Sequence, residues 1–278
     1  MPSNVEDLVA LFDIVQVSEL KFRGPQPDTY FQRLFGGQVL AQSLWAAMRT
    51  VPEQRRLHSL HAYFLRPGRP DAPLRFEVED LRNGRTFSAR RVVTRQHDSE
   101  IFQLNCSFQQ PERGLEHSAV PPTDVRPPEE SPSLRGYLEE QFGSPIVSLS
   151  EWDALDVRLA SDPAPSPGGG TMRAWVRTQT GLDEDPHLHA AVAAYLSDIT
   201  LLSVATVQHR LVLMSSQIQA ASIDHAMWFH RPFRADEWLL YDMVSPSTAD
   251  ARGFCTGNLF QDGLLVASCA QEGLIRLA

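Results

Sequence analysis

One strongly apolar segment of the chain predicts a buried helix from about His189 to Ala205. From Ala190 onward the sequence reads AAVAAYLSDITLLSVA, and its apolar residues fall on every face of a helix. The small polar residues of such a helix can bond to its preceding turn, but the carboxylate of Asp198 cannot. The fold must therefore supply partners for Asp198, which either belongs to a catalytic site or ties the core together.

A second helix and two sets of strands follow from the same patterning. The first half predicts a small-residue helix from Gly36 to Met48. β-Rich, partly alternating runs follow both helices, and Asn83-Gly84 and Asp262-Gly263 are hairpin-turn signals between them. The runs read LRFEVEDLR, TFSARRVVTRQ and EIFQLNCSFQ in the first half, and EWLLYDMVS, ARGFCTGNLF and LLVASCAQEGLIR in the second. Strands that follow a single helix favour an α+β fold with an antiparallel sheet wrapped around that helix.

Several matched segments in the same order predict an internal repeat. The string HAYFLRP follows the first helix, and HAMWFHRP follows the second. Each half then carries an Ala-Arg pair, at Ala89-Arg90 and Ala251-Arg252. Gln109 and Gln271 each lie 19 residues after the arginine of their half. An ordered series of matches with equal spacing indicates duplication.

Proline divides the two repeats. Ten of the 20 prolines fall between Pro111 and Pro167, in a stretch that closes with PSPGGG. This composition predicts a linker with one short helix from Ser133 to Phe142. We therefore expect a first repeat at 1–110, a Pro-rich linker at 111–170 and a second repeat at 171–278.

The two predicted helices differ in charge. The first presents Gln38 and Gln42, whereas the second carries Asp198. This asymmetry predicts that the first repeat is a scaffold and that the second holds one active site per chain.

Composition limits the partners and the compartment. The formal net charge of -9 argues against nucleic acid as the main partner. Three cysteines without metal-type spacing indicate reduced intracellular thiols. The acidic N-terminus lacks the basic region of a secretory signal, and no stretch of about 18 uninterrupted apolar residues predicts a membrane span. A cytoplasmic location is expected.

Histidine pairs raise the question of a metal. His58 with His61, and His187 with His189, have spacings that could seat an ion on a strand. Neither pair has an accompanying carboxylate or cysteine cluster, so neither a metal site nor a cofactor is predicted.

Six strings, in this order along the chain, resemble the acyl-CoA thioesterase II family: RLFGGQVLAQSLWAA, LHSLHAYFLRPG, GRTFSARRV, YLSD, IDHAMWFHRPF and ASCAQEG. The resemblance runs from about residue 5 to the C-terminus and is weakest in the Pro-rich middle. It implies a double hotdog fold, two helix-in-sheet units in one chain, which agrees with the predicted repeat. It also implies hydrolysis of the thioester of acyl-CoA to a free fatty acid and CoA, and association into a dimer or tetramer.

The resemblance places three catalytic residues. They are Asp198 in YLSD, Ser222 before the IDH motif, and Gln271 in AQEG. The family commonly has threonine where this chain has Ser222; the hydroxyl is kept, but the lost methyl leaves the side chain less restrained. These residue types suit thioester hydrolysis, which needs a positioned and partly deprotonated water.

Other interpretations remain open. Ser222, Asp224 and His225 suggest a serine triad, but adjacent strand residues point to opposite faces, and no G-x-S-x-G elbow is present. His225 is interpreted as structural, and Arg66, Arg69, Arg231 and Arg234 are candidates for CoA phosphate contacts. A hotdog hydratase acting on acyl-CoA, or a non-catalytic acyl-CoA binding module, would share the fold. Release of free thiol from acyl-CoA distinguishes the hydrolase from both.

Overall fold

The computed structural model describes residues 2–26, 29 and 31–278, without the side chains of 147 and 148. The first half contains α1 (Val5–Ala10), β1 (Val15–Ser18), β2 (Lys21–Arg23), α2 (Gly36–Met48), β3 (Arg56–Phe64), β4 (Arg75–Asn83), β5 (Phe87–Gln96) and β6 (Ser99–Gln109). The middle contains α3 (Leu134–Phe142), β7 (Leu155–Leu159) and β8 (Ala164–Ser166). The second half contains β9 (Gly169–Thr178), α4 (Pro186–Thr200), α5 (Val204–Val207), β10 (Ile218–Ser222), β11 (Asp224–Phe229), β12 (Leu239–Ala249), β13 (Arg252–Gln261) and β14 (Leu264–Leu277). Short 3-10 turns occupy Pro128–Glu130, Val147–Trp152 and Leu201–Ser203.

All described strands belong to one antiparallel sheet. Its order is β1-β2-β4-β5-β6-β3-β11-β14-β13-β12-β9-β7, with β10 paired to β14 and β8 to β9. The two halves join where β3 pairs with β11, and Leu60 lies opposite Met227 at this junction. The predicted hairpin turns join β4 to β5 and β13 to β14; Asp262 and Gly263 have the positive φ angles of such a turn. The predicted α+β class and the sheet wrapped around helices are confirmed.

The two long helices pack against each other inside this sheet. Helix α2 has the predicted bounds, and α4 begins three residues before the predicted start. Asp185 caps α4 by accepting a hydrogen bond from the backbone N–H of His187 at 2.9 Å, and Pro186 takes the first helical position. The helices approach closely at Gly37, where an added Cβ would lie 2.5 Å from the carbonyl oxygen of Tyr195. Glycine is therefore needed at this crossing.

The helical segment that carries Asp198 changes geometry at Leu201, three residues after the carboxylate. Helix α4 ends at Thr200, continues as the 3-10 turn Leu201–Ser203 and resumes as α5. Over Pro186–Val207 the segment is long and apolar enough to cross a membrane, but 83% of the apolar window is buried inside the protein. In this structure it is a core helix, as its patterning predicted.

The Pro-rich segment 111–170 differs from the linker that its composition predicts. The expected short helix is present as α3, with Ser133 accepting a hydrogen bond from the N–H of Gly136 at 3.1 Å. The same segment also supplies β7 and β8, and β9 begins at Gly169. An added Cβ at Gly169 would lie 1.9 Å from the carbonyl oxygen of Ser245 on β12, so glycine allows the close pairing there. A composition typical of loops becomes strand because a neighbouring strand pairs with it.

The equal spacing of Gln109 and Gln271 does not correspond to equivalent places in the sheet. Gln109 pairs with Phe87, three residues before Arg90. Gln271 pairs with Cys255, three residues after Arg252. Gln109 ends its strand, whereas Gln271 is fully buried. The duplication is visible in the order of elements, but these two glutamines are not counterparts.

Candidate active site

Asp198 lies near the C-terminal end of α4 and is 9% exposed. Its Oδ1 accepts a hydrogen bond from the Ser222 hydroxyl at 3.3 Å and another from Gln271 Nε2 at 2.5 Å. Gln271 Nε2 also donates to Ser222 Oγ at 3.0 Å. The three residues predicted from the sequence therefore form one hydrogen-bonded cluster.

Each of the three side chains comes from a different element. Asp198 is on a helix that the sheet surrounds, Ser222 ends β10, and Gln271 lies on β14. Strand β10 pairs with the far end of β14, with Ser222 opposite Gly273, and this register carries the hydroxyl to Gln271. Asp198 and Ser222 line a cavity, whereas fully buried Gln271 lies behind them and bonds to both.

The first half also contacts this cluster, and the sequence did not predict that contact. The backbone N–H of Gly37, in the first turn of α2, donates a hydrogen bond to the Asp198 carboxylate. At Gly36 an added Cβ would lie 2.6 Å from Asp198 Oδ2. The Gly-Gly pair was visible in the sequence as the start of a helix. Its partner Asp198 is 161 residues after Gly37, and only the packing of α2 on α4 shows the contact. The first half thus contributes backbone groups to the surroundings of Asp198.

Burial controls the protonation of Asp198. Removal from water raises its pKa to about 6, although the hydrogen bonds from Gln271, Ser222 and Gly37 oppose the rise. A carboxylate with this pKa is ionised at neutral pH and is still basic enough to take a proton from water. This is the protonation behaviour required of a general base.

The cavity beside Asp198 has a volume of about 690 Å³. It follows one face of the segment from Asp198 through Ser203 to Val207. Its other walls are mostly apolar, and they include Phe64 of β3, Leu134 and Leu138 of α3, and Leu213 and Met214 in the turn after α5. A long apolar cavity with one carboxylate at its wall suits a ligand with a hydrocarbon chain and one reactive group.

The other polar residues noted in the sequence have different positions. No histidine is among the residues that line the cavity in the described part of the chain. His225 is fully buried and bonds to Ser197, and Asp224 accepts a hydrogen bond from the backbone N–H of Glu272 at 2.7 Å. Ser222, Asp224 and His225 therefore do not form a triad.

Most of the arginines considered for CoA phosphate contacts have partners within the protein. Arg66 lines the cavity, whereas Arg69 and Arg234 form ion pairs with the aspartates that follow them by two residues. Arg231 donates hydrogen bonds to backbone carbonyls.

Among the described residues no cluster of histidine, cysteine and carboxylate side chains could hold a metal. The cysteines are free and buried, and burial raises the pKa of Cys255 to about 11.

Comparison with known proteins shows the family of the chain. The acyl-CoA thioesterase family matches residues 149–274, and the acyl-CoA thioesterase N-terminal domain family matches residues 26–109. The chain is 36% identical to acyl-CoA thioesterase 2 of Haemophilus influenzae, with 100% of both chains covered. The chain belongs to the acyl-CoA thioesterase II family. It is also 37% identical to human acyl-coenzyme A thioesterase 8, over 97% of this chain and 89% of the human protein.

Solved structures agree with this membership. The crystal structure of acyl-CoA thioesterase II TesB2 from Mycobacterium marinum has a TM-score of 0.83 and 39% identity, with 98% of each chain covered. A protein with a hot dog fold from Alicyclobacillus acidocaldarius has a TM-score of 0.79 at 20% identity, which shows the fold alone. The predictions of family, double hotdog fold and enzyme class are confirmed. As an acyl-CoA thioesterase, the protein is a hydrolase that acts on the thioester of acyl-CoA.

Proposed function

We propose that Asp198 is the general base that activates water for attack on the acyl-CoA thioester. The observation that supports this most strongly is the cluster of Asp198, Ser222 and Gln271 at the wall of an apolar cavity. The water lies between Asp198 and Ser222, the two members of the cluster that line the cavity. Gln271 orients both from behind, since its Nε2 donates to each of them.

The reaction then proceeds in two steps. The water oxygen attacks the carbonyl carbon while one of its protons moves to the ionised carboxylate of Asp198. The tetrahedral intermediate expels the CoA thiolate, and the protonated carboxyl of Asp198 returns the proton to the thiolate sulfur. The products are a fatty acid and free CoA, and Asp198 is ionised again.

The N-terminus of α2 is positioned to stabilise the oxyanion. Gly36 is the first residue of this 13-residue helix, lines the cavity and lies against Asp198 Oδ2. Backbone N–H groups in a first helical turn point away from the helix and carry partial positive charge. We assign the N–H of Gly36 as a donor to the developing oxyanion.

The acyl chain occupies the cavity beside α4 and α5. From Asp198 to Val207 the helical segment rises roughly 14 Å, at about 1.5 Å per residue. That length accommodates an extended chain of about twelve carbon atoms, because each C–C bond of about 1.5 Å advances a zigzag chain by roughly 1.25 Å. A hydratase would need a second acid or base near the acyl α and β carbons, and no histidine lines the described cavity.

Thiol release from a panel of acyl-CoA chain lengths tests the assignment, comparing the wild type with Asp198→Asn. The variant keeps the shape of the side chain but removes its basicity, so kcat should fall about 100-fold or more. Asp224→Asn is the matched control, because it removes a nearby carboxylate that does not line the cavity. Undiminished activity of Asp198→Asn would place the chemistry elsewhere, and no thiol release by the wild type would favour a binding module.

Three further proposals accompany this function. The chain carries one active site, with its base on the second repeat and with Gly36 and Gly37 of the first repeat beside that base. Active-site titration giving two equivalent sites per chain would contradict this. Association into a dimer or tetramer is expected, and light scattering in solution measures it. A cytoplasmic location stays a prediction, which fractionation of the source cells would test.

A further inference from the structure

Ser197 precedes Asp198 in α4 and is held by contacts from two separate strands. It is fully buried, and its hydroxyl donates to the carbonyl oxygen of Ala194 at 2.9 Å. The ring of His225, on β11, places Nε2 at 3.0 Å from the same hydroxyl. Because a hydroxyl carries one hydrogen, this arrangement makes His225 Nε2 the donor and Ser197 Oγ the acceptor.

The second contact is made to the backbone of Ser197. Tyr241, on β12, donates its phenolic hydrogen to the carbonyl oxygen of Ser197 at 3.0 Å. Since α4 ends at Thr200, this carbonyl is among the last four of the helix, which lack regular partners within it. Tyr241 therefore supports the turn of α4 at which the geometry changes from α to 3-10.

The two contacts surround the strand that carries Gln271. In the sheet order β11-β14-β13-β12, His225 and Tyr241 lie on either side of β14 and β13. Gln271 is on β14 and must meet the carboxylate of the residue next to Ser197. A rotation of the last turn of α4 would separate these two groups.

We propose that Ser197 is a positioning residue, held by His225 and Tyr241, that sets the orientation of Asp198 toward Gln271 and Ser222. Both anchoring side chains are fully buried, and neither lines the cavity. They act through Ser197 and do not touch the substrate. The proposal rests on the proposed function of Asp198, and its test separates the two.

The first half offers a matched control. Ser43, on α2, is also a fully buried helix serine; its hydroxyl donates to the carbonyl of Val39 at 2.6 Å and lies 2.7 Å from Thr94 Oγ1 on β5. Its helix carries no carboxylate in the cluster. Ser43→Ala therefore removes the same kind of buried helix-to-strand bond without affecting Asp198.

The experiment compares steady-state thiol release by Ser197→Ala, His225→Leu and Ser43→Ala with that of the wild type. We expect Ser197→Ala and His225→Leu to lower kcat about 10-fold or more with KM within about twofold, because small displacements of a catalytic group cost rate. Ser43→Ala should retain wild-type kcat. His225→Gln keeps an N–H donor near the position of Nε2 and should restore most of the lost rate.

The same substitutions in the Asp198→Asn background complete the test. If Ser197 acts through Asp198, Ser197→Ala should lower kcat no further when the carboxylate is absent. The positioning role is overturned if Ser197→Ala lowers kcat by the same factor in Asp198→Asn as in the wild type. It is also overturned if Ser197→Ala and Ser43→Ala have the same kcat. A wild-type rate for Asp198→Asn itself overturns the proposed function instead, so the two failures are distinguishable.

Discussion

Gly37 donates its backbone N–H to the carboxylate of Asp198, and through this contact the two halves of the chain meet at one side chain. The neighbouring Gly36 has its missing Cβ position 2.6 Å from Asp198 Oδ2 and 3.0 Å from the ring of Phe64. The Gly-Gly pair at the start of α2 thus shapes the surroundings of the proposed base. A side chain at either position must displace what it meets.

Gly36→Ala is the substitution that displaces the carboxylate most directly. The added methyl meets the end of a movable side chain, so Asp198 should rotate away from the cavity while the fold persists. We expect kcat to fall about 10-fold or more, and thiol release measures it. Gly114→Ala is the control, because an added Cβ there meets no atom within 4 Å. An unchanged kcat in Gly36→Ala would contradict the geometry proposed for the base.

The rate should depend on pH through the ionisation of Asp198. Its pKa is raised to about 6 by burial, and only the ionised form can accept a proton. We therefore expect kcat/KM to rise as the pH increases through about 6 and to level off above about 7. A pH profile flat between 5 and 7, at roughly constant ionic strength, would exclude a base with this pKa.

The raised pKa of Asp198 also makes the free energy of unfolding depend on pH. A carboxyl group whose pKa is raised on folding favours the folded state when protonated, and this contribution is lost as the pH rises through the folded-state value. Above pH ~6 the ionised Asp198 lowers the free energy of unfolding, by an amount on the order of 3 kcal/mol. Asp198→Asn should therefore be more stable than the wild type at pH ~7.5 and nearly equal to it at pH ~4. Urea unfolding at both pH values measures the difference.

Ser222 allows a test of the hydroxyl separately from the side chain that carries it. Ser222→Ala removes the donor to Asp198 Oδ1 and the acceptor for Gln271 Nε2, so we expect kcat to fall about 10-fold or more. Ser222→Thr keeps the hydroxyl and adds a methyl that restricts its rotamers. Its kcat should equal or exceed that of the wild type. Equal rates for the alanine and threonine variants would show that the hydroxyl has no role.

The far end of the cavity should control the acyl length that is accepted. Val207→Phe adds volume where α5 lines the cavity, roughly 14 Å from Asp198. We expect kcat/KM to fall about 10-fold for the longest acyl-CoA that the wild type uses well and to change little for short ones. Gln208→Phe, at the next residue and outside the cavity lining, is the control. A uniform loss across all chain lengths would contradict the placement of the acyl chain.

Arg90 and Arg252, the arginines of the two Ala-Arg pairs, should contribute differently to the free energy of unfolding. The Arg90 side chain is 3% exposed and donates hydrogen bonds to Asp80 and to both the hydroxyl and the carbonyl of Thr50. Arg252 is 45% exposed and pairs with Glu272 at 3.0 Å. Arg90→Ala should lower the free energy of unfolding by about 3 kcal/mol, and Arg252→Ala by about 0.5 kcal/mol or less. Chemical denaturation of both variants tests this, and equal losses would contradict it.

The local pattern of apolar and polar residues was sufficient to predict the two helices beside the candidate site. The bounds of α2 agree with its prediction, because a run of 13 mostly small and apolar residues is longer than most strands and therefore favours a helix. The buried position of Asp198 followed from the apolar faces around it, since a helix without a polar face must enter the core. Ser222 and Gln271 were reached through family resemblance, because a single hydroxyl or amide on a strand has no periodic signal of its own.

The contacts between distant segments could not be read from the chain. The contact of Gly37 with Asp198 depends on the close approach of α2 to α4, and the use of Gly169 to begin a strand depends on its close approach to the backbone of Ser245. Glycine permits such an approach but does not say which segment makes it. The α+β class, the duplicated order of elements and the burial of Asp198 were predictable from the chain alone, because all three follow from the local periodicity of apolar residues. Hydrogen-bond partners are selected by packing, so the contact of the first half with the candidate site and the two strand contacts of Ser197 became visible in the folded molecule.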